Sequence, residues 1–107
     1  MPDYYPVESL LDGNPVRDPT VMFYTYVLQS KKNNRWYTGS TNDLRKRLKL
    51  HNAGKSIYTN KFKPWEIIYY EACKTESDAR SRELYLKSGM GKRYLKNRLR
   101  GFLSLTG

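Results

Sequence analysis

Residues 22–28 read MFYTYVL, a run of aromatic and β-branched residues that is apolar on both of its alternating faces. A strand of this kind is typical of the centre of a sheet, where other elements cover it on each side. The run therefore predicts a buried central strand, and the strand decides the fold because its neighbours must cover both of its faces.

Two more strands are predicted beside this one. Residues 31–34 read KKNN and predict a turn, and residues 36–40 read WYTGS and predict a strand that completes a hairpin. Tyr37 and Gly39 then lie on the same face of the second strand. Farther along the chain, residues 65–72 read WEIIYYEA and predict a third strand.

A basic helix follows the hairpin. Residues 41–43 read TND and offer capping side chains to a helix over residues 44–52, which Gly54 can end. At roughly 100° per residue, Arg47 and His51 lie beside the apolar stripe and face the body of the protein. The other basic residues of this helix form a solvated or phosphate-facing surface and are Arg45, Lys46 and Lys49.

A second helix starts at residues 74–77, which read KTES, and ends near residue 88. Glu83 lies within the apolar stripe of this helix. A buried carboxylate without a partner is unfavourable, so Glu83 needs either a basic side chain, for which Arg47 is a candidate, or a metal ion. The apolar residues of the stripe are Ala79, Leu86 and Met90.

The remaining segments are a loop and a last helix. Residues 55–64 read KSIYTNKFKP and predict a basic loop, in which Tyr58, Thr59 and Lys61 either contact a substrate backbone or are solvated. Lys55 and Lys61 of this loop are candidates for binding nucleic acid. The last helix follows residues 89–91, and Asn97 points away from its apolar face, so Asn97 receives no role. That apolar face consists of Leu95, Leu99 and Phe102.

Length and composition limit the classes of protein that fit. A chain of 107 residues corresponds to one domain, with residues 1–20 as an acidic, proline-rich, partly disordered leader and residues 21–103 as the folded part. Cys73 is alone and indicates neither a disulfide nor a zinc site. The start of the chain lacks the basic and apolar regions of a secretion signal. We therefore expect a protein of a reducing compartment, without a membrane partner.

The charge of the chain is unevenly distributed. The net charge is +10, but residues 1–20 hold one basic and four acidic residues, which leaves +13 on residues 21–107. A strongly basic body attracts a polyanion through counterion release, and nucleic acid is the commonest candidate. The charge alone also fits a basic protein that binds nothing.

Several short motifs occur in a fixed order along the chain. They are YTY at 24–26, YTGSTNDL at 37–44, Arg47, HNAGK at 51–55, PW at 64–65, YYE at 69–71 and RELYLKSG at 82–89. In order and spacing these motifs resemble the GIY-YIG endonuclease superfamily, from residue 22 to about residue 100. More closely, the chain is similar to small single-domain bacterial proteins that resemble the nuclease domain of the excinuclease component that incises damaged DNA.

The resemblance implies a small α+β fold, in which helices flank a three-stranded antiparallel sheet. It also implies one divalent ion, usually magnesium with manganese as a substitute, bound by Glu83. Tyr26 and Tyr37 match the two motif tyrosines, one of which helps to deprotonate the attacking water. By position, Arg47 neutralises charge on the phosphoryl oxygens and His51 relays a proton.

We therefore predict a magnesium-dependent endonuclease that hydrolyses DNA, is directed by DNA structure, and acts in repair or recombination in the cytoplasm near the nucleoid. Two alternatives stay open: a DNA- or RNA-binding module that has kept the fold but lost turnover, and a protein-interaction domain. Taken singly, the tyrosines are ordinary strand aromatics and Glu83 with Arg47 forms a structural ion pair. The sequence does not decide which tyrosine is the base, which DNA is cut or how many copies assemble.

Overall fold

The computed structural model of the chain describes residues 18–106. The predicted leader falls mostly outside this range, since residues 1–17 are not among the described residues. Within the described range no helix is long and apolar enough to cross a membrane. The elements are, in order, β1 (Phe23–Ser30), β2 (Trp36–Thr41), α1 (Leu44–Asn52), α2 (Ile57–Asn60), β3 (Trp65–Cys73), α3 (Glu76–Lys87), α4 (Gly89–Arg98) and α5 (Arg100–Thr106).

The three strands form one antiparallel sheet in the order β2-β1-β3, so the predicted α+β fold with a three-stranded antiparallel sheet is confirmed. The strand predicted to be central is central. Its residues from Thr25 to Ser30 are all buried, as expected for a strand that is covered on both faces. In the register of the sheet, Tyr26 lies between Gly39 on β2 and Tyr70 on β3.

The two faces of β1 pack against different helices, because successive side chains of a strand point to opposite faces. On one face, Tyr26, Leu28 and Trp65 form a buried cluster, against which α1 packs with two half-buried leucines. On the other face, Val27 packs with Leu86 of α3 and with a leucine of α4. The sheet thus separates α1 from α3.

The predicted boundaries of α1 are correct. The Asp43 side chain caps the helix by accepting a hydrogen bond from the Lys46 backbone N–H at 3.1 Å. Gly54 follows the helix with φ of +79°, a left-handed conformation that suits glycine. This well-defined helix matters for the site, because it carries Arg47 and His51.

Three local predictions are wrong. The basic loop at 55–64 contains the one-turn helix α2, and the last helix is interrupted at Leu99, where α4 ends and α5 begins. Met90 is 67% exposed and does not belong to the buried stripe of α3. The reason is that α3 ends at Lys87 and the extended Ser88 begins a new helix, whose first-turn N–H groups it caps.

Candidate active site

The hydroxyl group of Tyr26 is the centre of the candidate site. Tyr26 is 2% exposed, and its hydroxyl oxygen lies 3.0 Å from His51 Nε2. The same oxygen accepts a hydrogen bond from Arg47 Nε at 3.4 Å. Arg47 and His51 lie one helical turn apart on α1, so this helix brings both side chains to one oxygen atom.

Gly39 provides the space that Tyr26 needs. The two residues lie directly opposite each other on neighbouring strands. A Cβ atom on Gly39 would lie 2.6 Å from the Tyr26 hydroxyl oxygen and 2.8 Å from Tyr26 Cζ. Both distances are shorter than a nonbonded contact allows, so only glycine lets the phenol ring lie this close to β2. The glycine of the Tyr-x-Gly motif is therefore needed because it leaves space for the Tyr26 ring.

His51 is buried and uncharged. It is 1% exposed, and burial together with the nearby Arg47 charge lowers the pKa of its imidazole from 6.5 to about 4. Its Nδ1 atom lies 2.8 Å from Thr59 Oγ1. The Tyr26 oxygen accepts a hydrogen bond from Arg47, and we assign the Tyr26 hydroxyl proton to the hydrogen bond with His51 Nε2. Nε2 is then the acceptor, so the proton of the neutral imidazole is assigned to Nδ1.

Burial raises the pKa of the Tyr26 hydroxyl, and the hydrogen bond from Arg47 only partly opposes this increase. The negative charge of Glu83 contributes in the same direction as burial. The same hydrogen bond to Tyr26 raises the pKa of Arg47. At neutral pH, Tyr26 thus keeps its proton, Arg47 is charged and His51 is neutral.

Tyr37, the second motif tyrosine, is more accessible than the first. It is half-buried, and its ring meets the His51 ring edge-on at 4.9 Å between centroids. Tyr37 also lies close enough to Arg47 to help raise the pKa of its guanidinium group. The two tyrosines therefore share both α1 partners, but only Tyr37 lines an open cleft at the surface.

Glu83 approaches this group from the other side of the sheet. Its carboxylate is 22% exposed and reaches β2, where Ser40 Oγ donates a hydrogen bond to Oε1 at 2.8 Å. Lys87 Nζ lies 2.7 Å from Oε2 and forms an ion pair with it. No ion pair joins Glu83 to Arg47 in the described part of the chain, so the basic partner of Glu83 is Lys87 instead.

Glu83 is the candidate ligand for a divalent metal ion at this site. Within residues 18–106 no group of three or more His, Cys, Asp or Glu side chains could hold a metal ion. Magnesium keeps several water ligands and needs only one or two carboxylates, so Glu83 alone satisfies this requirement. The Lys87 ammonium group occupies one carboxylate oxygen and has to move for an ion to bind there.

The basic residues predicted to bind nucleic acid all lie on the surface. α1 carries three of them and packs against α2, whose end carries a fourth. None of them takes part in the hydrogen bonds around Tyr26. Their exposed side chains surround the helical side of the site and are Arg45, Lys46, Lys49, Lys55 and Lys61.

Three contacts of the site were not predicted. Thr59 binds His51, and Ser40 and Lys87 bind Glu83. The spacing of Lys87, four residues after Glu83 on one helix, was a usable signal for an ion pair. Nothing in the sequence indicates that Thr59 contacts His51, because Thr59 belongs to the segment that was predicted to be a loop.

Comparison with known proteins gives one family and several relatives. The model of the GIY-YIG catalytic domain matches residues 22–100. The UPF0213 protein YazA of Bacillus subtilis (strain 168) is 45% identical over 65 residues, which cover 60% of this chain and 65% of that protein. The UPF0213 protein CPE1444 of Clostridium perfringens (strain 13 / Type A) is 42% identical over 67 residues, which cover 62% of this chain and 71% of that protein. The chain thus spans just under two thirds of the length of YazA.

One solved structure is also similar to the chain. It is the solution NMR structure of the UPF0213 protein BH0048 from Bacillus halodurans, with 32% sequence identity and a TM-score of 0.44. The similarity covers 71% of this chain and 83% of that chain.

Proposed function

Because the chain belongs to the GIY-YIG catalytic domain family, we propose that it is a magnesium-dependent endonuclease that hydrolyses phosphodiester bonds in DNA. The domain is a nuclease domain, and the nucleases of this family are generally metal-dependent. The single observation that carries the proposal is the convergence of Arg47 and His51 on the Tyr26 hydroxyl group, beside the more accessible Tyr37.

Phosphodiester hydrolysis requires a nucleophile that loses a proton and a counter-charge for the phosphoryl oxygens. We assign the first task to Tyr37, because it is half-buried and lines an open cleft, whereas Tyr26 is 2% exposed. Tyr37 accepts a proton from the attacking water, with the charged guanidinium group of Arg47 close to it.

Tyr26 and His51 support Arg47 and Tyr37 from within the protein. The Tyr26 oxygen fixes the guanidinium group of Arg47, which leaves the remaining Arg47 donors for the phosphoryl oxygens. His51 is neutral at pH 7, so its buried Nε2 atom can accept the hydrogen bond of the Tyr26 hydroxyl group and orient that group. The chain Thr59–His51–Tyr26 thus holds the site in place.

Glu83 is the residue that would hold the magnesium ion. When bound, the ion supplies positive charge for the leaving oxygen. The Ser40 hydrogen bond fixes the direction of the Glu83 carboxylate at the edge of β2. Glu83 therefore occupies the opposite side of the site from Arg47, so that negative charge on the phosphate is balanced from two directions.

The basic surface on α1 and beyond α2 suits the backbone of DNA. Phosphate contacts from Arg and Lys position a nucleic acid but carry no sequence information. A domain of this size with charged surface residues around its site is therefore expected to be directed by DNA structure. We accordingly place the activity in DNA repair or recombination, in the cytoplasm near the nucleoid, with RNA as a second candidate substrate.

The test is cleavage by the purified protein, with magnesium or with a chelator, of perfect, nicked, flapped and bulged DNA of one length. Glu83→Gln is expected to abolish cleavage. Its matched control is Glu76→Gln, because Glu76 is on the same helix and forms the same type of i,i+4 ion pair, with Arg80, but is 62% exposed. We expect the Glu76→Gln variant to cut like the parent.

The tyrosine assignment has its own comparison. Tyr37→Phe is expected to lower kcat by roughly 100-fold or more, the usual range for a lost general base. Tyr26→Phe is expected to have a smaller effect, and Tyr24→Phe, on the same strand, none. Cleavage that persists in Glu83→Gln would reject the metal-binding role of Glu83. No cleavage of any substrate, together with binding that is unchanged in chelator, would favour a binding module over an enzyme.

A further inference from the structure

A cleft of about 260 Å³ adjoins the candidate active site along the outer edge of β2. Three aromatic side chains line it, namely Trp36 and Tyr37 of β2 and Tyr58 of α2. Leu86 and Leu95 complete its apolar lining. The volume is slightly below the ~300 Å³ at which pockets for drug-sized ligands begin, so the cleft suits a single flat ring system.

The aromatic lining is available for stacking. Tyr58 is 47% exposed, although it lies beside other aromatic residues. Its ring centroid is 6.0 Å from that of Tyr37, with 32° between the ring planes. The Trp36 indole is fixed by a hydrogen bond from Nε1 to Gln29 Oε1 at 2.8 Å. A planar ligand in this cleft therefore meets aromatic surfaces, at least one of which is held in place.

Charge and hydrogen bonding identify the class of the ligand. Lys87 and Lys92 are exposed residues that line the same cleft. Lys87 is paired with Glu83, and the positive charge of Lys92 favours an anionic ligand. β2 is an outer strand of the sheet, so among residues 18–106 one edge of its backbone is not paired with another strand. Unpaired backbone N–H and C=O groups can bond to the polar edge of a nucleobase. Aromatic surfaces, polar edges and positive charge together match a nucleotide.

A peptide strand or a second copy of the chain could also add to an open sheet edge. Lys92 of α4 lies beside this edge, and its positive charge favours an anionic occupant over a peptide strand. The balance of +13 on residues 21–107 likewise favours a polyanion over an average protein surface.

Tyr37 links the cleft to the chemistry, because it lines the cleft and also contacts His51. We propose that the cleft binds one unstacked nucleobase next to the phosphodiester that is cut. This inference rests on the proposed function. It identifies the substrate as DNA with at least one unpaired nucleotide at the cleavage position, since a base inside an intact duplex cannot enter the cleft.

The decisive experiment measures binding to two DNA duplexes by fluorescence anisotropy, with a chelator present to prevent cutting. One duplex carries a single-nucleotide bulge, and the other carries an abasic residue in the same bulge, so the two have equal charge. We expect the parent protein to bind the first roughly tenfold more tightly, a typical effect of stacking one base on aromatic side chains. Equal affinities would overturn the proposal.

Variants locate the effect in the cleft. Tyr58→Ala is expected to reduce the tenfold preference to less than about twofold, whereas Tyr58→Phe keeps it. The matched control is Tyr70→Ala, because Tyr70 is 54% exposed on the opposite outer strand, and it also keeps the preference. A preference that survives Tyr58→Ala, or a dimer in sedimentation that Tyr58→Ala dissociates, would assign the cleft to another role and overturn the proposal.

Cleavage with magnesium separates this inference from the proposed function. Faster cutting of the bulged duplex than of the perfect duplex supports both. Equal cutting of the two duplexes overturns the cleft proposal and leaves the nuclease assignment intact. No cutting of either duplex, with the base preference still present in binding, rejects the nuclease assignment and supports the cleft as a nucleobase site.

Discussion

The buried, neutral state of His51 predicts a specific dependence of stability on pH. In the unfolded chain this imidazole has its ordinary pKa of 6.5, and in the folded protein the pKa is about 4. Below pH 6.5 the unfolded state therefore binds a proton that the folded state does not bind. The free energy of unfolding is thus at its full value above pH 6.5, decreases as the pH falls, and stops decreasing below about pH 4.

The size of the effect follows from the two pKa values. At about 1.4 kcal/mol for each pH unit between them, the full loss is roughly 3 kcal/mol. Between pH 7 and pH 5, where the protein is expected to stay folded, the loss is about 2 kcal/mol. Carboxylates also contribute in this direction, because the pKa of Glu71 is lowered by its hydrogen bonds from Arg82. The variant His51→Gln keeps that contribution and removes only the histidine.

The assay is urea unfolding at pH 7, 6 and 5, followed by tryptophan fluorescence, for the parent and for His51→Gln. The variant is expected to be less stable than the parent at pH 7 but to have a weaker pH dependence. The difference in unfolding free energy between the two proteins should therefore decrease by about 2 kcal/mol from pH 7 to pH 5. Because the chain contains one histidine, its NMR titration can be followed without overlap. Parallel stability curves, or an imidazole that titrates near pH 6.5 in the folded protein, would show that burial does not keep His51 neutral.

Two further predictions concern the neighbours of Tyr26 and Glu83. Gly39→Ala places a methyl group 2.6 Å from the Tyr26 oxygen, so we expect a loss of about 1–3 kcal/mol in urea unfolding and a much lower rate of cleavage; a variant with unchanged stability would show that the ring has room to move. Lys87→Ala removes the ion pair from Glu83 and is expected to tighten manganese binding, measured by EPR, by about twofold or more. Weaker manganese binding in that variant would mean that Lys87 orients the carboxylate rather than competing for it.

The sequence was sufficient for the sheet and for the position of the site helix. The run at 22–28 contains only residues that fit a strand covered on both faces, and no competing helical period is present. The capping residue Asp43 and the positive-φ Gly54 set the limits of α1 by local chemistry alone. Because these limits are local, the orientation of Arg47 and His51 toward the body followed from helical phase.

The features that could not be predicted depend on contacts between distant segments. Thr59 reaches His51 only because α2 folds against α1, and the contacts that hold Thr59 there, such as the hydrogen bond from Trp65 Nε1 to its carbonyl group, do not form a motif. Met90 followed the phase of α3 in the sequence, but Ser88 ends that phase by changing the direction of the chain. The predicted end of this helix near residue 88 is correct, and Met90 lies beyond that end.

The short edge strand β2 explains how residues from both sides of the sheet reach one site. Gly39 and Ser40 are consecutive, so they point to opposite faces of the strand. On the face that α1 covers, Gly39 leaves room for Tyr26, and on the face that α3 covers, Ser40 binds the Glu83 carboxylate. A shift of β2 by one residue would exchange these two faces and separate Tyr26 from its space and Glu83 from its hydrogen bond at the same time. The positions of Tyr26 and of the Glu83 carboxylate therefore both depend on the register of this strand.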